Sequence, residues 1–298
     1  MASRRALPVA LTIAGSDPSA GAGLQADLKT FHQHGVYGTS VVTLVTVQTT
    51  RGVSRVELLA PDLVREQLAT LLADVPPQAM KTGALGTASI VRAVAEVLAE
   101  IPKDARPPLI VDPVMVSKHG HALLDETAID ACLTALFPLA ALVTPNVPEA
   151  ERLLATSPEA ERDTWTRIET EDDAADAAAM LARRFGVPVL LKGGHLQTAM
   201  STDVLAFGGE VHRFDAPRLD TPHTHGTGCT YSTAITARLA RGFALPAAVA
   251  GAKAWLTRAI ASGPAIGGGI GPTDHLAPTE LGPVEPTRAS VAPISGRG

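Results

Sequence analysis

The sequence predicts an α/β fold in which a mainly parallel sheet carries helices on both faces. Short apolar runs alternate with longer amphipathic segments along most of the 298 residues, and such alternation is typical of β-α-β units. Several apolar runs end in a polar or glycine-bearing turn, where a strand gives way to the next helix. The composition, 46% hydrophobic and 18% charged, is that of a soluble globular protein.

The first elements follow from local signals. Residues 6–14 form an apolar run that ends in a Gly-Ser-Asp-Pro turn at 15–18, which predicts a buried strand. The glycines at 21–23 open a predicted helix that continues to about residue 34. Residues 39–47 are β-branched and apolar, which predicts a second strand. Pro61 stands at the first position of a helix with one apolar face.

The rest of the chain repeats this pattern. Further buried strands are predicted at residues 109–111, 141–143 and 187–191. Helices are predicted at residues 89–99, 126–137, 172–185, 226–241 and 246–262. Two apolar stretches, 204–207 and 211–214, flank Gly208-Gly209, and this arrangement predicts a β-hairpin.

We expect a single folded domain over residues 1–275. Residues 163–173 are polar and predict an insertion or a long loop. Residues 276–298 are rich in Pro, Gly and Ser and lack periodicity, so we expect a disordered tail.

Charge, cysteine content and run lengths argue against several classes of protein. The net charge is -5 and no basic block occurs, so nucleic acid and anionic membranes are poor partners. The two cysteines, Cys132 and Cys229, have no paired spacing, so neither a disulfide framework nor a zinc site is predicted. There is no leader-like run and no apolar stretch of the roughly 18 residues that a membrane helix needs. We therefore expect a cytoplasmic protein.

The stretch Gly226-Thr227-Gly228-Cys229 lies directly before an Ala- and Thr-rich helical run. Glycines at a helix start leave backbone N–H groups unobstructed, and the helix dipole adds positive charge, so the stretch suits a transferring phosphoryl group. A plain glycine-rich turn explains the glycines equally well. Cys229 lies in the first turn, a placement that can lower the pKa of a thiol and let it accept a proton. The alternative is a small buried residue that merely fits.

Polar side chains follow three of the predicted strands, where ligands of open α/β sheets bind. Asp112 suits a metal contact and a turn equally, and Lys192 either neutralises phosphate or is a solvated lysine. Asn146 and Glu149 are three residues apart at a predicted helix start. They either orient metal-bound water around phosphates or cap the helix.

Gln48 follows the second strand. Its amide donates and accepts, so it can pair with the ring nitrogen and amino group of an aminopyrimidine, although an exposed glutamine is the alternative. The chain has no P-loop, and Gly21-Ala22-Gly23 lacks the third glycine of a Rossmann fingerprint. The following histidines match no zinc spacing and are predicted to be loop residues: His119, His121, His195, His223 and His225.

Together these motifs resemble the hydroxymethylpyrimidine/phosphomethylpyrimidine kinases of thiamine biosynthesis, which belong to the ribokinase-like superfamily. The resemblance extends from about residue 6 to residue 275. Its most specific pieces are residues 10–19, 21–31, Gln48 with 50–53, 144–146 with 148–150, 192–195 and 224–230. Chance does not explain several long motifs in the same order.

The resemblance implies a three-layer α/β/α sandwich, assembled as a homodimer, that uses ATP and Mg²⁺. The implied reactions are phosphorylation of 4-amino-5-hydroxymethyl-2-methylpyrimidine and then of its monophosphate. The positions that match the pyrimidine pocket are Gly15, Asp27, Gln48 and Val114. Those that match the nucleotide side are Asn146, Lys192 and Thr227, with Asp112 and Glu149 toward the metal. Those that match the catalytic group are Gly226, Gly228, Cys229 and Lys192, with Cys229 as the implied base.

Two positions depart from patterns seen among relatives. Many superfamily members carry aspartate where this chain has Cys229, although cysteine is usual in this branch. Ala84 stands where some members place a methionine against the substrate ring. Two other functions fit parts of the pattern: a pyridoxal kinase, and a binding or regulatory protein without turnover. Gln48 favours the aminopyrimidine, because pyridoxal has no ring amine.

Overall fold

The computed structural model describes residues 7–115, 125–156 and 167–281. Within these residues, nine strands form one sheet in the order β3-β2-β1-β4-β5-β6-β7-β8-β9. The strands are β1 (Val9–Ser16), β2 (Tyr37–Thr49), β3 (Gly52–Leu58), β4 (Ala79–Thr82), β5 (Leu109–Val111), β6 (Leu142–Val143), β7 (Val189–Leu191), β8 (Asp203–Phe207) and β9 (Glu210–Phe214). The central six strands pair in parallel, in the spatial order β2-β1-β4-β5-β6-β7. The outer strands β3, β8 and β9 pair antiparallel to their neighbours.

Helices cover both faces of this sheet. They are α1 (Gly23–Gln33), α2 (Pro61–Asp74), α3 (Ala88–Ala99), α4 (Glu126–Ala131), α5 (Val147–Ala155), α6 (Glu171–Phe185), α7 (Thr227–Ala240) and α8 (Leu245–Ala261). In β5, Leu109 and Val111 pack in the core that holds α2, α3, α5 and α6, whereas Ile110 packs in the core that holds α7 and α8. This alternation is that of a strand buried on both faces. The predicted three-layer α/β/α sandwich is confirmed.

The predicted strands and helices are found within a few residues of their predicted bounds, and the hairpin has its expected turn. Gly208 and Gly209 have φ angles of 63° and 84°, which a type I′ hairpin turn requires. The predicted helix 126–137 is less regular: α4 ends at Ala131, and the chain continues as one π-helical and one 3₁₀ turn, Cys132–Leu136 and Phe137–Leu139.

Two strands, β3 and β4, were not predicted. In β3 most side chains are exposed, including Arg55 and Glu57, so the strand lacks the apolar pattern that marks a buried strand. In β4 the four residues are all buried but include Lys81, and a lysine interrupts an apolar run. A run of apolar residues marks only strands whose buried side chains are apolar. It therefore misses β3, which is mostly exposed, and β4, which includes a buried lysine.

The two predicted irregular segments are only partly within the described residues. Of the polar stretch 163–173, residues 163–166 lie outside them, and Thr170 caps α6 through a capping box with Asp173. Of the predicted tail, residues 282–298 lie outside them. Its first residues pack on the domain, since Ala277 is buried and its carbonyl accepts a hydrogen bond from Trp255 Nε1 at 2.9 Å. Among the described helices, none combines the length and the apolar character needed to cross a membrane.

A buried ion pair joins four elements beneath the carboxyl edge of the sheet. Lys81 Nζ lies 3.0 Å from both carboxylate oxygens of Asp27, and neither side chain is exposed to solvent. Thr12 and Thr233 donate to the same carboxylate, both at 2.6 Å. Burial lowers the pKa of Lys81, but the nearby Asp27 outweighs it and holds the pKa above its ordinary value. The pair therefore fixes β1, β4, α1 and α7 relative to one another.

Replacing Lys81 by methionine tests how much the Lys81–Asp27 ion pair contributes to stability. Lys81→Met leaves the Asp27 carboxylate buried without a cation, so we expect the free energy of unfolding to fall by about 3–5 kcal/mol. Urea denaturation at pH 7 measures it. Lys103→Met, at an exposed lysine, is the control and should change stability by less than about 0.5 kcal/mol. Equal effects of the two substitutions would mean that the pair does not hold the elements together.

Candidate active site

A cavity of about 870 Å³ opens at the carboxyl edge of the parallel strands. This volume is that of a typical ligand pocket. Every residue singled out from the sequence as a site candidate borders it: Gly15, Asp27, Gln48, Asp112, Val114, Asn146, Glu149, Lys192, Gly226, Thr227, Gly228 and Cys229. Residues from both ends of the chain are therefore brought together.

The start of α7 is held in a conformation that glycine alone adopts without strain. Gly226, which precedes the helix, has a φ angle of 76°, and a Cβ there would lie 1.8 Å from the carbonyl oxygen of Gly21. The N–H of Thr227 donates to the carbonyl oxygen of Thr224 at 3.4 Å. The next two residues, Gly228 and Cys229, border the cavity in the first turn, where a helix offers no intrahelical acceptor for an N–H. Lys192 Nζ approaches the same place, since it lies 3.5 Å from where a Cβ on Gly228 would be. A helix N-terminus and an ammonium group thus face one spot, which is an anion site.

Lys192 is not the solvated lysine that the sequence also allowed. It is mostly buried and lies 2.8 Å from Asp112 Oδ1. The second Asp112 oxygen accepts from Ser232 at 3.1 Å. Burial raises the pKa of Asp112, but Lys192 and Lys81 outweigh it and hold that pKa below its usual range. Burial lowers the pKa of Lys192, but Asp112 and Glu149 hold it above its usual range. Both groups stay charged.

Asn146 and Glu149 form a complete capping box at the start of α5. Asn146 Oδ1 accepts from the Glu149 N–H at 2.9 Å, and Glu149 Oε2 accepts from the Asn146 N–H at 2.8 Å. The capping alternative is therefore real, and it leaves both side chains at the cavity wall. Burial raises the pKa of Glu149 to about 7, with the Asp112 charge acting in the same direction and Lys192 opposing it.

The donor set suits a magnesium ion held partly by other groups. Among the described residues, no three His, Cys, Asp or Glu side chains are placed to hold a metal by themselves. Mg²⁺ is commonly bound through one or two carboxylates together with water and substrate phosphates. Asp112 and Glu149 border the cavity together, and a cation beside Glu149 would favour its ionised form, which burial opposes. These two carboxylates therefore fit Mg²⁺ that arrives with a nucleotide.

The expectation of a lowered thiol pKa at Cys229 is wrong. Burial raises its pKa to about 11, although Lys81 and a hydrogen bond from the Gly23 N–H act in the opposite direction. The stabilisation available at a helix start is smaller here than the loss of water around the sulfur. The thiol is therefore protonated at neutral pH when the cavity holds no ligand.

Another part of the cavity wall carries the residues predicted to bind the substrate ring. Gln48 lies near the end of β2, and Val114 and Ala84 lie just beyond β5 and β4. Gly15 has no room for a side chain, because a Cβ would lie 2.5 Å from Leu44 Cδ1. Asp27 differs from the others: its carboxylate is enclosed by Lys81, Thr12 and Thr233. It supports the pocket from beneath.

His225 lies in the loop before α7, as predicted, but its contacts were not foreseen. It is buried, with its Nε2 2.8 Å from Asp17 Oδ2 and 3.3 Å from one end of the Gln48 amide. Asp17 follows β1 as Asp112 follows β5, so the strand-end signal could have identified it. No local signal could identify His225, because its partners lie 208 and 177 residues away in the chain.

A further buried ion pair at the cavity was also missed. Lys253 Nζ lies 2.7 Å from Asp203 Oδ2, and Asp203 Oδ1 accepts from the Gly193 N–H at 2.9 Å. Both charged residues border the cavity. The pair fixes the turn that follows Lys192.

Comparisons with known proteins agree with this geometry. A family model described as phosphomethylpyrimidine kinase matches residues 17–274. The hydroxymethylpyrimidine/phosphomethylpyrimidine kinase of Streptomyces coelicolor is 46% identical over 268 residues, which are 90% of this chain and 94% of that protein. Among solved structures, a phosphomethylpyrimidine kinase from Clostridium difficile has a TM-score of 0.71 at 37% identity and covers 85% of this chain and 99% of its own. A pyridoxal kinase from Staphylococcus aureus, in complex with AMP-PCP and pyridoxal, has a TM-score of 0.78 at 34% identity and covers 91% of this chain and 95% of its own.

The raised pKa of Glu149 predicts a pH dependence of stability. The folded-state pKa is about 7 and the ordinary value is 4.5. Between these values the folded chain keeps a proton that the unfolded chain has lost, so stability falls as pH rises through this window. The loss at pH 7.5 is on the order of 3 kcal/mol.

Glu149→Gln keeps an acceptor for the capping box and removes the titration. We expect the stability of this variant relative to the native chain to rise between pH 4.5 and 7.5. Urea unfolding at four pH values measures the difference, and Glu66→Gln, at an exposed glutamate, is the matched control. Parallel curves for Glu149→Gln and the native chain would show that Glu149 is not the group responsible.

Proposed function

The chain belongs to the phosphomethylpyrimidine kinase family, and from this premise we propose which reactions its cavity performs. The chain transfers the γ-phosphate of ATP to the hydroxymethyl group of 4-amino-5-hydroxymethyl-2-methylpyrimidine, and then phosphorylates the monophosphate to the diphosphate, in thiamine biosynthesis. Its fold is ribokinase-like. The observation that carries the proposal is one cavity bordered both by an anion site at residues 226–229 and by the Gln48 amide.

The phosphates of ATP belong at the anion site. The N–H groups at the start of α7 and the Lys192 ammonium favour the charge that develops on a transferring phosphoryl group. Asn146 and Thr227 also border the cavity and are proposed to contact the nucleotide. Asp112 and Glu149 would hold Mg²⁺, which when bound neutralises phosphate charge.

The substrate ring belongs between Gln48 and the loops that follow β1, β4 and β5. Gly15 keeps the floor of this region flat, and Val114 offers an apolar contact. With the ring on this wall, its hydroxymethyl oxygen can point at the anion site. Ala84, smaller than the methionine of some relatives, leaves more space beside the ring, which affects how tightly the ring is held.

Cys229 is proposed to receive the proton from the attacking hydroxyl. Its place in the first turn of α7 and its proximity to Lys81 support this role. Its raised pKa means that the thiol must first ionise, so the backbone amides and Lys192 carry the larger part of the rate enhancement. This division differs from relatives that carry aspartate at the position.

Pyridoxal phosphorylation is the second candidate function. The similarity to a pyridoxal kinase of Staphylococcus aureus favours it. Gln48 opposes it, because a carboxamide matches a ring nitrogen beside an amino group better than it matches pyridoxal. A binding protein without turnover is opposed by the charged pair of Lys192 and Asp112 at an unobstructed helix start.

A homodimer is proposed as the assembled form, as the resemblance implies. Support comes from the β2–β3 ribbon, where Val45, Val47, Val56 and Leu58 are exposed and β3 is an edge strand. Exposed apolar side chains on an edge favour association. A single domain over residues 1–275 and a cytoplasmic location also remain proposals.

A coupled assay of ADP release tests the function. The purified chain with ATP and Mg²⁺ is given hydroxymethylpyrimidine, its monophosphate or pyridoxal. We expect ADP with the first two acceptors at rates well above that with pyridoxal. Gly226→Ala, which cannot keep the φ angle or the contact with Gly21, is the matched control for contaminating kinases. ADP formed only with pyridoxal contradicts the substrate assignment, and no ADP with any acceptor favours a binding protein.

The pH profile of kcat/KM, which reports the free enzyme, tests the role of Cys229. A thiol with a pKa of about 11 is ionised in only about one molecule in 10⁴ at pH 7, so kcat/KM should rise about tenfold per pH unit from pH 7 to 9. Cys229→Ala should lower kcat by about 10²–10⁴ and remove this slope. Cys132→Ala, at the other cysteine and far from the cavity, should keep it. Near-normal kcat in Cys229→Ala would reject the base role and leave the amides as the main catalyst.

A further inference from the structure

We propose that the Asp17–His225 pair is a positioning device that sets which end of the Gln48 amide faces which end of the substrate ring. The inference rests on the proposed binding of an aminopyrimidine by Gln48. It adds a specificity-determining residue, His225, that no sequence motif assigned to substrate recognition.

Both carboxylate oxygens of Asp17 accept hydrogen bonds. Its Oδ1 accepts from the N–H and the hydroxyl of Ser19 at 2.9 and 2.7 Å, its Oδ2 accepts from the Ala22 N–H at 2.9 Å, and His225 Nε2 lies 2.8 Å from the same Oδ2. The three donors other than the histidine already favour the carboxylate form. Burial raises the pKa of Asp17, but these bonds outweigh it and hold the pKa below its ordinary value. His225 Nε2 must therefore carry the proton.

A protonated Nε2 cannot accept a hydrogen bond, and this constrains Gln48. The two ends of the Gln48 amide lie 3.3 Å from His225 Nε2 and 3.2 Å from Thr46 Oγ1. Oxygen and nitrogen of an amide have nearly the same shape, so the surrounding hydrogens decide which is which. The single hydrogen on Nε2 points at Asp17, and the nitrogen has no lone pair to accept from an amide N–H, whereas an amide oxygen can share that hydrogen in a three-centre bond. The end that faces His225 is therefore the oxygen.

The other end of the amide gives the same assignment independently. Thr46 has one hydroxyl hydrogen, which it donates to the carbonyl oxygen of Ser16 at 2.9 Å. Its oxygen is then only an acceptor toward Gln48, so the end of the amide that faces Thr46 must be Nε2. Both neighbours place the Gln48 oxygen toward His225 and the nitrogen toward Thr46.

This orientation selects one hydrogen-bonding pattern in the substrate. The free lone pair of Gln48 Oε1 accepts from a donor on the His225 side, and the free N–H donates to an acceptor on the Thr46 side. An exocyclic amine next to an unprotonated ring nitrogen has this pattern. A 4-oxo pyrimidine has the reverse pattern, a carbonyl next to a ring N–H. Its carbonyl would face the Gln48 oxygen, acceptor against acceptor, and its N–H would face the Gln48 nitrogen, donor against donor.

His225 is itself held rigidly. Its ring is buried and lies against Gly21, where a Cβ would be 2.3 Å from His225 Cδ2. The backbone N–H of His225 donates to the carbonyl oxygen of Gly271 at 3.0 Å. The next residue is Gly226, the start of the anion site. His225, which directs the Gln48 amide, and Gly226, which begins the phosphate site, are therefore neighbours in the chain.

The test compares two acceptors that undergo the same chemistry. They are 4-amino-5-hydroxymethyl-2-methylpyrimidine and its 4-oxo analogue, and the readout is the ratio of their kcat/KM values. In the native chain we expect a ratio of at least about 10². In His225→Leu the amide is free to turn, so the ratio should fall at least tenfold, mainly through a higher KM for the amine. The KM for ATP should change by less than about threefold.

Two further variants separate orientation from general damage. His225→Gln supplies N–H groups that can reach Asp17 and Gln48, so it should restore most of the ratio. His275→Leu removes another buried histidine, one that contacts Thr230 instead of Gln48, and should leave the ratio unchanged. Where His225→Leu does not fold, His225→Asn, whose amide is too short to reach Gln48, takes its place.

The outcomes distinguish this inference from the function on which it rests. An unchanged ratio in His225→Leu, with both acceptors slowed equally, overturns the positioning role. Gln48→Leu is measured alongside. If Gln48→Leu also keeps the native ratio, recognition of the ring by Gln48 is itself wrong. If Gln48→Leu loses the ratio while His225→Leu keeps it, only the positioning role fails.

Discussion

The contact between Gly226 and the carbonyl oxygen of Gly21 is the constraint on which the site depends. These two residues lie at opposite ends of the sequence, and a single Cβ at Gly226 would occupy the space of the carbonyl. Because the backbones touch, the start of α7 is aligned with the loop that joins β1 to α1. The phosphate site, Cys229 and His225 take their positions relative to the substrate wall from this one contact.

Charge placement beneath the cavity follows a common plan. Two buried lysines, Lys81 and Lys192, each pair with one aspartate, Asp27 and Asp112, and both pairs lie where parallel strands end. Each carboxylate also receives hydroxyl donors, so the pairs are satisfied and rigid. Lys81 is closed off from solvent and holds the layers together. Lys192 keeps a face toward the cavity, which makes its charge available to a phosphoryl group.

Most of the layer architecture and the anion site could be predicted from the sequence, because both depend on local patterns. Buried parallel strands are apolar runs, and a glycine-rich helix start is a compact motif. The failures have a shared physical cause. Strand β4 was not predicted because it contains Lys81, and the burial of that lysine depends on Asp27, a residue 54 positions away. His225 gained its role from contacts with Asp17 and Gln48 that only the fold creates, and the pKa of Cys229 rose because burial outweighed the helix start.

The same reasoning explains how one cavity separates recognition from catalysis. Recognition by a neutral amide is directional, and its strength comes from leaving the wrong partner with unpaired groups. Stabilisation by helix N–H groups and an ammonium acts on charge and is tolerant of the identity of the acceptor. A kinase that relied on the anion site alone would phosphorylate any alcohol that reached it. Selectivity must therefore arise at the Gln48 wall, and it is only as strong as the orientation of that amide. The buried Asp17–His225 pair fixes that orientation in our proposal, because the one hydrogen between the two side chains belongs to the histidine. Both side chains are shielded from water.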